Sequence, residues 1–340
     1  MSQLSVHATV GRVSAGEDLA EDEMADAIDG IMLGQWAAPD IAMLLTALKH
    51  KGETSAEITG AARAMRRHMT PIRSDRDDLV DTCGTGGDGS ATFNISTAAA
   101  LVTAAAGVPV AKHGNRRVSS RSGSADVLEQ LGVNIAADVA TVEKCLDQLG
   151  ICFCFAPLLH GAMKQVAEVR QQLAMPTIFN LLGPLSNPAH APYQLLGVGR
   201  AELRPLLSGA LQRLGTKRAL VVCGEDGLDE VTIATSTQVT EVQPEELREF
   251  SWEPDNFDLP RQPLDALKVD GPAASAAMIR EVLDGKLGPA RDIVVINAAT
   301  ALWLVGKYPA PRECAAAAAQ AIDTGAARDL LKRLGAMSHA

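Results

Sequence analysis

The order of apolar and polar positions divides the chain into two regimes. Up to about Met69 the apolar residues recur with a helical period, and Leu19, Met24, Ile28 and Ile31 share one face ahead of Gly34. Ser14 and Glu17 read as a capping box for that helix, Pro39 as the opening of the next over Asp40 to Lys51, and Gly52 as its stop. Thr54 and Glu57 repeat the capping-box pattern, and Pro71 closes the segment. Beyond a charged connection, Arg73 to Asp78, short apolar runs of strand length alternate with helical stretches. Leu79-Val80-Asp81 (read as the end of a strand), Val108 to Ala111, Ile151 to Phe155 and Arg218 to Cys223 are the expected strands. Ala98 to Gly107, Ala125 to Leu131, Val139 to Leu149 and Gly161 to about Leu173 are the expected helices. Strands separated by helices specify a parallel sheet. Further on, Thr232 to Val242 alternates like sheet-edge strands, and the proline-bearing segment Glu245 to Val269 reads as irregular. Met278 to Leu283 reads as helix, Ile293 to Asn297 as strand and Cys314 to Leu334 as largely helical. The expected fold class is α/β: a small N-terminal helical domain, residues 1–72, and a larger α/β domain, residues 73–340, around a central, mostly parallel sheet.

A chain of 340 residues has room for such a core, and its 31 basic against 41 acidic residues give a net charge of −10. That charge disfavours nucleic acid and anionic membranes as partners. No apolar stretch has the length and composition of a membrane span, and MSQLSVHATVGR has no apolar signal core. The six cysteines are scattered without zinc-type or disulfide-rich spacing, which fits a reduced, cytoplasmic protein.

Against that acidic background one stretch, Asp81 to Asp126, is built for an anion. Gly84, Gly86, Gly87 and Gly89 let the backbone turn sharply with its N–H groups unobstructed. Asn94, Ser96 and Thr97 suit the start of a helix, where free N–H groups and the dipole favour phosphate. Lys112, His113, Asn115, Arg116 and Arg117 follow the next expected strand, and Ser119, Ser120, Ser122 and Ser124 add donors before another helix. A tight turn alone does not account for so many such features in one βαβ unit. The loop GTGGDGSATF lacks the GKS or GKT ending of a nucleotide-binding P-loop, and no acidic residue closes a neighbouring strand at dinucleotide spacing. Asp229 and Glu230 lie in a loop entered from a buried strand. Beside a polyphosphate, two carboxylates call for a hard cation between them, and magnesium fits.

The series GTGGD, FNIST, KHGNR, SS..SGS..D, TIFNLLGPL.NP and GLDE, in this order over nearly the whole chain, resembles the anthranilate phosphoribosyltransferase family. The resemblance implies a nucleoside phosphorylase or class II phosphoribosyltransferase type of fold, with helices from about 161–190 joining the helical domain. It also implies pairing as a homodimer through that domain. The implied reaction moves 5-phosphoribose from phosphoribosyl pyrophosphate to the amine of anthranilate, with Mg2+, in tryptophan biosynthesis. By position, Gly84, Gly87, Asp88, Thr92, Asn94, Ile95, Ser96 and Thr97 would contact the donor, and Lys112, His113, Gly114, Asn115, Arg116, Ser119, Ser120 and Ser124 would complete its site. Ser96, Asp229 and Glu230 would hold metal. Gly84, Asn115 and Arg170 would meet anthranilate, with Gly183 and Pro184 walling its route. The residues expected to act on the reaction are Lys112, His113, Asn115 and Arg170, with His113 in a positioning role.

The chain departs from the family pattern where Pro176 replaces a common arginine, Gly161 a proline, and Ala274-Ser275 an acidic-Asn pair. Two rival readings are a pyrimidine nucleoside phosphorylase and a non-catalytic, nucleic-acid-binding relative. Asp229-Glu230 and KHGNR count against the first; the intact loops and the net charge of −10 count against the second.

Overall fold

The computed structural model describes residues 3–116 and 123–340. Four helices, α1 (Gln3–Ser14), α2 (Glu21–Met32), α3 (Ala38–Lys51) and α4 (Ser55–His68), form the N-terminal bundle. Ser14 ends α1 instead of capping the following helix; the Glu23 carboxylate accepts the Ala20 N–H there at 2.8 Å. The Thr54–Glu57 box is formed, with Thr54 N–H donating to Glu57 Oε2 at 2.9 Å and Glu57 N–H to Thr54 Oγ1 at 3.2 Å. Gly52 ends α3 with φ 88°.

The sheet has seven strands: β1 (Val80–Gly84), β2 (Val110–Gly114), β3 (Ile151–Phe155), β4 (Tyr193–Gly197), β5 (Arg218–Gly224), β6 (Thr237–Val242) and β7 (Leu247–Trp252). Their spatial order is 3-2-1-4-5-6-7; β3 to β5 pair in parallel, while β6 and β7 join antiparallel. The chain leaves β1 toward β2 and β3, then returns to β4 on the other side of β1. A crevice therefore opens at the C-terminal ends of β1 and β4, where open α/β sheets take ligands. Helices α5 (Ile95–Ala105), α6 (Ser124–Gln130) and α7 (Val139–Leu149) follow the first strands. Short α8 (Ala156–Leu159), then α9 (Lys164–Leu173), α10 (Phe179–Leu182) and α11 (Leu203–Arg213) lie between β3 and β5. Helices α12 (Pro272–Leu283), α13 (Pro289–Leu304), α14 (Pro311–Asp323) and α15 (Ala326–Ser338) end the chain. Alternation along β5 splits the core: Leu220 and Val222 pack with α5 and α13, while Ala219 and Val221 face the side that holds α11, α9, α10 and the N-terminal bundle.

The fold class agrees with the sequence reading, and several elements correct it. Val80 begins β1 instead of sitting near its end. β2 likewise starts two residues later than expected, so Lys112 and His113 lie within the strand. Only Thr237–Val242 of the segment 232–242 is strand, and the stretch read as irregular from Glu245 contains β7. β4 and α11 were not anticipated. Ile293 to Asn297 is helix within α13, not strand. It is buried on every side, and a short apolar run carries no period that separates a core strand from a core helix.

Glu57 is fully buried and also accepts Leu19 N–H at 3.0 Å and Lys51 Nζ at 2.9 Å. Lys51 additionally bonds the exposed Asp18 at 2.7 Å. Removing one partner of a buried pair strands the other, so Glu57→Ala should cost about 3 kcal/mol or more in denaturant unfolding. Asp18→Ala should cost about 1 kcal/mol or less.

Candidate active site

A cavity of about 470 Å³ sits in the crevice, lined by the loop from Cys83 to Ser96, by Lys112 to Arg116, by Gly123 and Ser124, and by Asp229 and Glu230. Gly86, Gly87 and Gly89 take φ of 68°, 78° and 72°, the left-handed region in which a side chain would be strained. The loop is pinned from outside: Phe93 N–H donates to Leu267 O at 2.9 Å, Val269 N–H to Ala91 O at 3.0 Å, and Asn94 N–H to Ser275 Oγ at 2.9 Å. Ser275, one of the departures noted above, thus supports the loop. Asn94 then caps α5, accepting Thr97 N–H at 3.1 Å, and Thr92 Oγ1 lies 3.1 Å from Ser90 Oγ.

Lys112 is buried beneath this loop and donates to Thr82 O at 2.8 Å and Ser96 Oγ at 3.1 Å. Burial lowers its pKa, and the Asp81 carboxylate opposes that shift. His113 donates its backbone N–H to Asp81 Oδ1 at 3.2 Å. Its ring is near the backbone of Gly183 and lies 5.3 Å from the ring of His160. Burial, with the neighbouring His160 and Lys112, pushes the His113 imidazole down to about 3, and burial takes His160 to about 4. The Nε2 atoms of both rings are buried without a hydrogen-bond partner among the described residues. Gly114 leaves room for Ser124, whose Oγ would lie 2.1 Å from an added Cβ. Asn115 accepts Arg116 N–H at 2.7 Å. The Arg116 guanidinium is engaged with Asp126 at 3.0 Å and Glu129 at 2.6 Å.

Arg170, Gly183 and Pro184 do not line this cavity. Arg170 sits over the Phe179 ring at 5.7 Å and donates to Asn180 Oδ1 at 3.4 Å; burial lowers its pKa. Pro184 O accepts Gln194 Nε2. Ser119 and Ser120 lie outside the described residues. Sequence reasoning missed Asp81, His160 and Ser275. Each acts through partners remote in the chain, and a lone histidine in PLLHGAMK carries no local signal.

The donor set suits a hard cation. Asp229 Oδ2 accepts Gly86 N–H at 3.0 Å, and Asp88 Oδ2 is buried with no hydrogen-bond partner among the described residues. Burial, then the Asp88 charge, raises Asp229 to about 7; burial and Asp229 raise Glu230 well above the carboxylate range. Such mutual repulsion is relieved by a divalent ion. Among the described residues no group of three or more His, Cys, Asp or Glu is placed to hold a metal ion.

A helical bundle, a mostly parallel sheet and a glycine loop facing half-buried carboxylates define a glycosyl transferase. Residues 9–69 match the glycosyl transferase family helical bundle domain, and residues 76–328 match its a/b domain. The chain belongs to the anthranilate phosphoribosyltransferase family. It is 49% identical over 327 residues to the anthranilate phosphoribosyltransferase of Moorella thermoacetica, covering 96% of each chain. The Thermus thermophilus enzyme of that name superposes with a TM-score of 0.92 at 43% identity, covering 98% of this chain and 99% of that one. The Saccharomyces cerevisiae enzyme, solved in complex with PRPP and Mg, gives 0.91 at 28% identity, with 99% of each chain covered.

The two buried imidazoles stay neutral in the fold but charge in the unfolded chain below about pH 6.5, so they withdraw stability on acidification, while the raised Asp229 carboxyl takes up its proton in the fold over the same range and opposes them. Between pH 7 and 5 the loss should be about 2 kcal/mol for each ring. Denaturant unfolding of the unaltered protein and of His160→Asn at the two pH values isolates it, and the variant should lose about 2 kcal/mol less between them.

Proposed function

We infer that the chain transfers 5-phosphoribose from phosphoribosyl pyrophosphate to the anthranilate amine, releasing pyrophosphate and forming N-(5-phosphoribosyl)anthranilate for tryptophan biosynthesis. The observation that carries this reading is the convergence of Asp88, Asp229 and Glu230 on a glycine loop with Lys112 behind it, at the crevice of the sheet. In the reaction the amine nitrogen bonds to C1 of the ribose while the C1–oxygen bond breaks, and pyrophosphate leaves with the electron pair. The amine then gives up a proton. Bound Mg2+ would neutralise the departing pyrophosphate, with Asp229, Glu230 and Ser96 as its protein ligands. The loop N–H groups of Gly87 and Asp88 and the cap residues Asn94 to Thr97 would orient the phosphates.

An aromatic amine is already unprotonated at neutral pH, so positioning outweighs base catalysis. His113 fits that role, since its low pKa suits a neutral, fixed ring. Asn115 and Arg170 would aim the acceptor, Arg170 by a two-point grip on its carboxylate. Support for the acceptor comes from the Saccharomyces cerevisiae enzyme, whose structure was also solved in complex with 4-fluoroanthranilate. The departures at Gly161 and Pro176 leave Arg170 in place; Gly161 has open space around it and Pro176 is exposed. We also assign residues 1–72, with helices from about 161–190, to the helical domain and 73–340 to the catalytic one. Pairing as a homodimer through the former accords with exposed Leu33 and Met43. A cytoplasmic setting accords with six free cysteines.

Anthranilate fluorescence should fall when phosphoribosyl pyrophosphate and Mg2+ are added to the protein, and EDTA should stop the fall. An unchanged signal in protein that binds the donor would refute the acceptor. Asp229→Asn with Glu230→Gln should lower turnover at least a hundredfold with the unfolding midpoint kept or raised; near-normal turnover would remove these residues from the metal site. Arg170→Ala should raise the KM for anthranilate at least tenfold and leave that for the donor within about twofold, consistent with losing a charge-assisted pair.

A further inference from the structure

A second cavity, of about 150 Å³, opens on the opposite edge of the sheet, at the N-terminal ends of β1 and β4. It lies where α4, the segment after α10 and the turn between α11 and β5 meet. Three basic residues line it: Arg66, His190 and Lys217. Arg66 Nε donates to Leu185 O at 2.8 Å, and its guanidinium has no ion pair among the described residues. Burial shifts its pKa downward, and no carboxylate among the described residues opposes that shift. His190 is held in the left-handed region at φ 50°, rare for a residue with a side chain, and its N–H donates to Asn187 O at 3.0 Å. Partial burial and then the Arg66 charge keep its imidazole below the usual pKa. Lys217 is exposed; its ammonium lies 5.0 Å from the Tyr193 ring centre, within the field of Asp77 and Asp78 outside the cavity. The one carboxylate on the cavity wall, Asp81, is committed to His113 N–H and Gln194 Nε2.

Tying α4 to the segment after α10 would account for Arg66 Nε. That tie uses one of five guanidinium donors and leaves the strained placement of His190 beside a like charge unexplained. We propose that this cavity binds a small oxyanion, a phosphate or carboxylate group, held by Arg66 with His190 and Lys217 at its rim. A guanidinium grips either group through two parallel hydrogen bonds. The cavity is below the size range of pockets for drug-sized ligands, so it suits one such group and not a nucleotide. The site is distinct from the catalytic crevice, and its neighbours Gln194 and Pro184 connect it to Asp81 behind that crevice.

The test is a titration of the full-length protein with inorganic phosphate, and separately with malonate, at constant ionic strength. The readout is the His190 imidazole resonance in two-dimensional NMR, assigned with His190→Gln. This local probe does not depend on the catalytic reading and does not respond directly to phosphate bound in the crevice. The expected result is a saturable shift whose apparent affinity falls at least threefold in Lys217→Ala, an exposed position that leaves the fold intact, and at least tenfold in Arg66→Gln. Saturation by phosphate alone identifies a phosphate site, and saturation by both probes a general oxyanion site. A drift that chloride reproduces, or saturation unchanged in Lys217→Ala, overturns the proposal.

Discussion

The site depends on how closely the loop carrying Asp229 approaches the ends of two strands. Gly84 and Gly197 are partners across β1 and β4, at the point where the chain reverses its direction of travel through the sheet. A Cβ on Gly197 would lie 1.6 Å from Asp229 O, and one on Gly84 would lie 2.4 Å from Asp229 Oδ2. Only a pair of residues without side chains lets the acidic loop descend far enough for its carboxylates to face the glycine loop. The crevice of an open sheet is a general feature of its topology. Here that paired absence of side chains shapes the crevice into the site proposed for an anion and its cation.

A second constraint works from beneath. Asp81 is fully buried, and its oxygens take His113 N–H from β2 and Gln194 Nε2 from β4. One carboxylate therefore fixes the strands on both sides of β1. Its charge also opposes the desolvation of Lys112. Lys112 and His113, adjacent in β2, face opposite sides of the sheet. The lysine reaches toward Ser96 under the donor loop, and the histidine toward Gly183 and His160 on the side of the helical bundle. A single two-residue step thus links the proposed donor half of the site to the proposed acceptor half.

What could be read from the sequence follows from the range of the interactions concerned. The Thr54–Glu57 box, Pro39 and Gly52 are local devices, and each appears where the pattern put it. The glycine loop, Asn94 as cap and Lys112 behind them were legible for the same reason, being close in sequence and serving one βαβ unit. Ile293 to Asn297 failed because burial on all sides erases periodicity, and β7 because its charges are those of an exposed edge and the segment around it carries prolines. Asp81, Gly197 and Ser275 were invisible as site residues for another reason. Their roles exist only once distant strands and loops are brought together, and a residue's type does not announce a partner a hundred positions away.

The two halves of the site are prepared to different degrees, and the difference has a chemical sense. The donor loop is held by backbone bonds to Leu267 and from Val269, by Ser275, and by its own cap, so its N–H groups are fixed before any ligand arrives. Pre-organisation is worth most where charge develops, which in this transfer is on the departing pyrophosphate. Arg170, by contrast, has one long hydrogen bond and a ring beneath it, and its desolvation is uncompensated. A guanidinium so placed gains more from an incoming carboxylate than one already paired. Strong intramolecular bonds in the acceptor half would have to be broken before anthranilate could be gripped. In the proposed acceptor role, leaving Arg170 weakly engaged avoids that cost and would let the acceptor's carboxylate complete the pair.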